Sequence, residues 1–136
     1  MDTLDYSQLQ KAIKSLQEGI HIYDLHKHDA ALKDVLRDSV IQRFEYTFEM
    51  SWKMLQRWIR LYISPADADP LTKKDLFRLA SRQGLIDDPQ TWFLFIEARN
   101  ISVHTYNEDN AKKAFDAALT FATTVPSLLQ HMQEKS

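Results

Sequence analysis

Between residues 97 and 109 the chain reads EARNISVHTYNED, and four of these side chains, Arg99, Asn100, His104 and Tyr106, carry more chemistry than a helix end requires. A guanidinium is permanently charged and grips phosphate oxygens as a fork, while an imidazole titrates near neutrality and can move a proton. RNA brings its own nucleophile, the 2′-hydroxyl, so this pair suits phosphodiester cleavage without a metal. Geometry decides whether the two can cooperate. On an uninterrupted helix Arg99 and His104 diverge by about 140°; if the helix ends near Val103, His104 folds back beside Arg99. A plainer account uses the same residues: cations in a last turn complement the helix dipole and its open carbonyls. Asn100 is then a satisfied polar group and Tyr106 an amphipathic cover. Spacing alone leaves both accounts standing.

The elements that would carry these residues are helical. Two glycines and four prolines in 136 residues leave too little turn material for a many-stranded sheet. Alanine, leucine, lysine, glutamine and glutamate are abundant and lose little side-chain freedom in a helix. A chain of this length fits one core, so residues 1–136 are expected to form a single domain. The spacing of Leu9, Ala12, Ile13, Leu16, Ile20 and Tyr23 predicts an amphipathic helix over about residues 3 to 29. A connection is expected between His26 and Asp38, where the apolar pattern is diluted. From Ser39 to Ser64 no Gly or Pro intervenes, which predicts one long helix. Ile41, Phe44, Phe48, Trp52, Leu55, Ile59 and Tyr62 form one stripe on it, and Tyr46, Met50, Met54 and Trp58 form a second alongside. This is more apolar surface than one small core consumes, and the second stripe either packs under a terminal helix or serves an interface. Gln42, Glu45, Glu49, Lys53, Gln56 and Arg60 share the remaining arc of about 80°.

Thr72, with Asp75 three residues on, predicts the capped start of a short helix that ends at Gly84. Asp88 followed by Pro89 predicts the start of the next, a strongly apolar helix. The last helix is expected from Asn107 or Glu108, with Pro126 kinking or breaking it. Five helices with short connections make an all-α, up-and-down bundle.

Composition excludes several functions. Without cysteine there are no disulfides and no thiolate metal sites, in keeping with a reducing cytoplasm. The start MDTLDYSQLQ is acidic and polar, unlike a signal or transit peptide, and no apolar run approaches the roughly 20 residues of a membrane span. The expectation is a soluble cytoplasmic protein. His21, His26 and His28 lie near a polar helix end and read as surface residues, so neither a metal nor a cofactor is expected. The formal charge of −2 argues against a broad basic surface for long nucleic acid, leaving room for a local phosphate site.

Three blocks, VIQRFEYTFEMSWKMLQ, FRLASRQGLIDDPQTW and ARNISVHTYNEDNAKKAF, together resemble the nucleotidyltransferase substrate-binding protein family, a branch of the HEPN superfamily. The likeness runs from roughly Leu9 to Met132, in order and without a large gap. It implies a bundle of four or five helices that dimerises, with a motif of Arg, a polar residue and His matched by Arg99, Asn100 and His104. In RNase members of the superfamily two copies of the motif meet across the dimer and form one metal-independent site. In toxin members the motif extends to His-x-Tyr, matched by His104, Thr105 and Tyr106. The resemblance further implies a minimal nucleotidyltransferase as partner, which in related pairs neutralises the toxin by transferring AMP to that tyrosine. RNA or a nucleotide is the implied ligand. Glu45, Glu49 and Trp52 are the candidates to line a partner or substrate cleft. The plainer account of the two glutamates is a solvated face with Lys53, four residues after Glu49, where such a pair contributes about 0.3 to 0.5 kcal/mol.

Overall fold

A computed structural model describes residues 3–69 and 71–136. Met1 and Asp2 of the acidic start, and Pro70, lie outside the described residues. In chain order the helices are α1 (Ser7–His26), α2 (Ala30–Tyr62), α3 (Pro65–Ala68), α4 (Lys73–Arg82), α5 (Pro89–Ile101) and α6 (Glu108–Glu134), with a 3-10 turn over Ser102–His104 between the last two. The architecture is the all-α, up-and-down bundle expected, with one extra helical turn, α3, in the loop after the long helix.

The long helix starts nine residues before Ser39. Asp29 caps it by accepting the Ala31 N–H at 2.9 Å, so the stretch expected to be a connection is already helical. Dilution of the apolar pattern there reflects exposure, since residues 30–35 project beyond the core. The α1–α2 connection is thereby reduced to three residues, which forces the two helices into an antiparallel hairpin. Small groups let them approach closely: Thr47 and Ser51 are fully buried, and the Thr47 hydroxyl donates to the Arg43 carbonyl at 2.7 Å.

Phe121 of α6 organises the core. Its ring lies 5.2 Å from Phe44, 6.1 Å from Phe48, 5.8 Å from Trp92 and 5.2 Å from Phe95, in edge-on contacts that join α2, α5 and α6. Each such pair contributes about 0.5 to 1.5 kcal/mol beyond burial. The second stripe on α2 divides. Met54 and Trp58 are core, and the Trp58 indole donates to the Met132 carbonyl at 3.2 Å. Tyr46 remains 39% exposed and its hydroxyl shares a 2.7 Å hydrogen bond with Ser15. Packing against neighbouring helices therefore accounts for the lower half of the stripe.

Of the two outcomes expected of Pro126, a kink or a break, the break does not occur, and α6 runs through it. The lost hydrogen bond and the ring clash cost about 3 kcal/mol, but Leu128 and Met132 beyond the proline are buried. The Met132 carbonyl also accepts from both Trp58 and Tyr6, which ties the final turns to α2 and to the segment before α1. The other boundaries agree closely with the sequence. Thr72 accepts the Asp75 N–H at 3.1 Å, Gly84 takes φ +74° after α4, and Asp88 with Pro89 opens α5.

Candidate functional site

Helix α5 delivers Arg99 in its last turn and then tightens into the 3-10 turn that carries His104. The link to α6 is pinned at both ends. Asn107 accepts the Asp109 and Asn110 N–H groups at 2.9 and 3.2 Å, while the Asn107 N–H and the Asn110 side chain both donate to the His104 carbonyl, at 3.2 and 3.3 Å. These bonds satisfy open donors of α6. They also fix the backbone that holds His104 and Tyr106.

Arg99 does not cap its own helix. Its side chain crosses to α2, where one terminal nitrogen donates to Glu45 at 2.9 Å and Nε lies 3.3 Å from Glu49. The Nε contact is close in distance, yet it lacks the alignment of a hydrogen bond and leaves that buried nitrogen without a donor–acceptor partner. Ser102 completes the cluster: its hydroxyl lies 2.9 Å from Glu45 and 2.7 Å from the Arg99 carbonyl. Glu49 in turn accepts the Trp52 indole N–H at 3.0 Å. The expected Glu49–Lys53 pair gives way to this arrangement, because a half-buried guanidinium binds the carboxylates more strongly than an exposed ammonium.

His104 and Tyr106 form a second group. Both are exposed, Tyr106 at 88%, and the two rings meet edge-on with centroids 6.0 Å apart. The helix ends at Ile101, slightly earlier than Val103, but His104 does not fold back onto Arg99. Among the described residues no hydrogen bond or ion pair connects them, because Arg99 is drawn to the α2 carboxylates instead. Asn100 is exposed, and among the described residues no side-chain hydrogen bond ties it to either group. Within one chain, then, Arg99, Glu45, Glu49 and Trp52 are brought together, and so are His104 and Tyr106.

Two residues of the neighbourhood were not anticipated. Ser102 was detectable in principle, since it follows Arg99 by three on a helix. Arg37 was not, because its segment reads as a connection. It reaches from α2 to Glu108 in the first turn of α6, at 2.5 Å, beside the turn that carries Tyr106. Burial opposes its charge, but the hydrogen bond and charge of Glu108, with Asp34 and Asp38, outweigh that and raise its pKa.

A groove of about 360 Å³ between α5 and α6 lies on the other side of α5, lined by Leu94, Ala98, Ile101 and Ala117 among others. Leu94, one turn and a half before Arg99, and Val103, inside the motif next to His104, are each 61% exposed. The described residues contain no group of three or more His, Asp or Glu side chains placed to hold a metal. No described helix is long and apolar enough to cross a membrane.

An up-and-down helical bundle that carries Arg-Asn and His-x-Tyr where its last two long helices meet has the HEPN-like architecture. The chain belongs to the nucleotidyltransferase substrate binding protein like family, whose model matches residues 4–134. It is 30% identical over 140 residues to the "Probable ribonuclease HepT" of Haemophilus influenzae, covering 99% of this chain and 96% of that protein. Its fold is similar to a Haemophilus influenzae structure described as the substrate binding domain of a nucleotidyltransferase, with TM-score 0.84, 28% identity, and coverage of 95% of this chain and 99% of that one. A crystal structure from Thermus thermophilus superposes with TM-score 0.70 at 31% identity, covering 92% of this chain and 98% of its own.

Proposed function

We propose that this protein is the HEPN-type partner of a minimal nucleotidyltransferase in a toxin–antitoxin-like pair. In this reading it is a metal-independent RNase of the cytoplasm, controlled by AMP transfer to Tyr106. The observation that carries the reading is the placement of Tyr106, open to solvent with its ring edge-on to His104. A phosphodiester attached to that phenol brings a bulky anion directly beside the group that would move the proton.

The cleavage step needs no cofactor. The 2′-oxygen of RNA bonds to the adjacent phosphorus, the bond from phosphorus to the 5′-oxygen breaks, and His104 transfers the proton between attacking and leaving oxygens. Arg99 holds the phosphate oxygens, and Asn100 orients the substrate or one of these side chains. That Arg99 and His104 do not touch within one chain supports a site completed by a second copy in a homodimer. The exposed Leu94, before the motif, and Val103, within it, suit such an interface. In the control step the Tyr106 phenol attacks the α-phosphorus of ATP, pyrophosphate leaves, and the phenolic proton is lost to water.

EDTA-treated protein is expected to cleave cellular RNA to products ending in a 2′,3′-cyclic phosphate, and His104→Ala to abolish this. Intact RNA under all conditions, with unchanged toxicity of His104→Ala in cells, refutes the enzyme. A second reading has one observation in its favour: Arg99 is engaged by two carboxylates, which suits a non-catalytic subunit that presents Tyr106 or a bound nucleotide to the nucleotidyltransferase. That reading predicts a stable complex and added AMP that Tyr106→Phe removes, with no cleavage.

A further inference from the structure

Two aromatic rings, Trp52 on α2 and Phe93 on α5, gather four cations. On α2 and α4, the ammonium of Lys73 lies 4.9 Å and that of Lys53 5.7 Å from the Trp52 ring. On α4 and α5, Lys74 lies 5.5 Å and Arg78 5.0 Å from the Phe93 ring. Asp75 neutralises Arg78 at 2.8 Å, while the three lysines have no ion-pair partner among the described residues. A chain of net charge −2 thus holds a local concentration of positive charge.

The patch is continuous with the candidate site by two routes. On α2 the Trp52 indole donates to Glu49, which faces Arg99. On α5, Phe93, Ile96 and Asn100 follow at helical spacing, so the patch ends about 10 Å from the motif. Cations beside a partly open indole are what a single-stranded nucleic acid requires, the lysines for phosphates and the ring for a base. A duplex would need a longer basic stripe.

We propose that the patch formed by Trp52, Phe93, Lys53, Lys73, Lys74 and Arg78 seats the single-stranded RNA that leads into the Arg99 and His104 site. The inference rests on the RNA-directed reading above, but binding can be measured apart from cleavage. The probe is a labelled oligouridylate with 2′-O-methyl groups, which removes the attacking hydroxyl, titrated into the full chain by fluorescence anisotropy at several salt concentrations. Lys73→Gln with Lys74→Gln is expected to weaken binding at least about fivefold and to reduce the slope of log K against log salt by about 1.4, two phosphates at about 0.7 each. Tryptophan emission should be quenched on binding, with the quench abolished in Trp52→Phe, because Trp58 and Trp92 are 4% and 1% exposed.

Unchanged affinity and slope in the lysine variant overturn the proposal. An equal loss in the α6 control Lys112→Gln with Lys113→Gln overturns it as well, as does a lysine variant that keeps RNA binding and loses only the nucleotidyltransferase. The two readings fail separately. Patch-dependent binding of the probe without cleavage of unmodified RNA upholds the patch and refutes the RNase, whereas cleavage indifferent to the lysines upholds the RNase and refutes the patch.

Discussion

Truncating Arg99 tests how firmly α5 is tied to α2. Arg99→Ala leaves the Glu45 and Glu49 carboxylates facing each other, with side chains only 25% and 27% exposed. At an effective dielectric of about 20, each guanidinium–carboxylate contact near 3 Å carries roughly 5 kcal/mol of Coulomb energy. Desolvation of the charges cancels most of it. Fully buried pairs lose about 3 to 5 kcal/mol when one partner is removed, and exposed pairs about 0.2 to 1. A cluster three-quarters covered belongs between them, so Arg99→Ala is expected to cost about 2 kcal/mol. Urea unfolding of the parent, Arg99→Ala, Glu45→Gln and the double variant gives the coupling energy directly, provided the m-values agree. We expect about 1 to 1.5 kcal/mol between Arg99 and Glu45. A coupling below about 0.3 kcal/mol would show that the cluster is only a surface pair, and the account of Arg99 as a residue held on α2 would be wrong.

Other outcomes follow from the same structure. His104→Ala and Tyr106→Phe should each leave stability within about 0.5 kcal/mol of the parent in urea, since both side chains are exposed; a larger loss would make them structural. Phe121→Ala, which empties the centre of the aromatic core, should cost about 3 to 5 kcal/mol by the same assay. Gly84→Ala forces an alanine into φ +74° and should cost about 1 to 2 kcal/mol, seen as a lower Tm. Burial raises the Tyr6 pKa above its ordinary 10.0 despite the Ser136 hydrogen bond. The native state therefore keeps its phenolic proton where the unfolded chain has lost it, so this contribution is intact below that value and declines as the pH climbs from there through the raised pKa. Tyr6→Phe should flatten the alkaline arm of a stability–pH profile; an unchanged arm refutes the assignment.

The helices were legible because their signals are local. Asp88 with Pro89, Thr72 with Asp75, and Gly84 each act within one turn, and periodicity placed Phe44 and Phe48 on one apolar stripe. Where tertiary contact decides, the sequence pattern misleads. The start of α2 has few buried residues and so lacks a stripe, although Asp29 caps it cleanly. Pro126 is a local breaker overridden by the burial of Leu128 and Met132. The candidate site divides in the same way. The types and spacing of Arg99, Asn100, His104 and Tyr106 were visible, and resemblance gave them roles. That Arg99 turns to Glu45 and Glu49, away from His104, depends on how α2 lies across α5, and no spacing within the motif encodes that. Arg37 joins the neighbourhood from 71 residues before Glu108 for the same reason.

The central claim is that one chain carries half of a site which a second copy completes. Subunit mixing tests it most directly. Arg99→Ala and His104→Ala proteins, each inactive alone on labelled RNA in EDTA, are mixed under conditions where native mass spectrometry shows heterodimers. Arg99 of one subunit then faces His104 of the other in an intact pairing, and the account predicts that cyclic-phosphate products return. A mixture that forms heterodimers and remains as inactive as its two parents would contradict it.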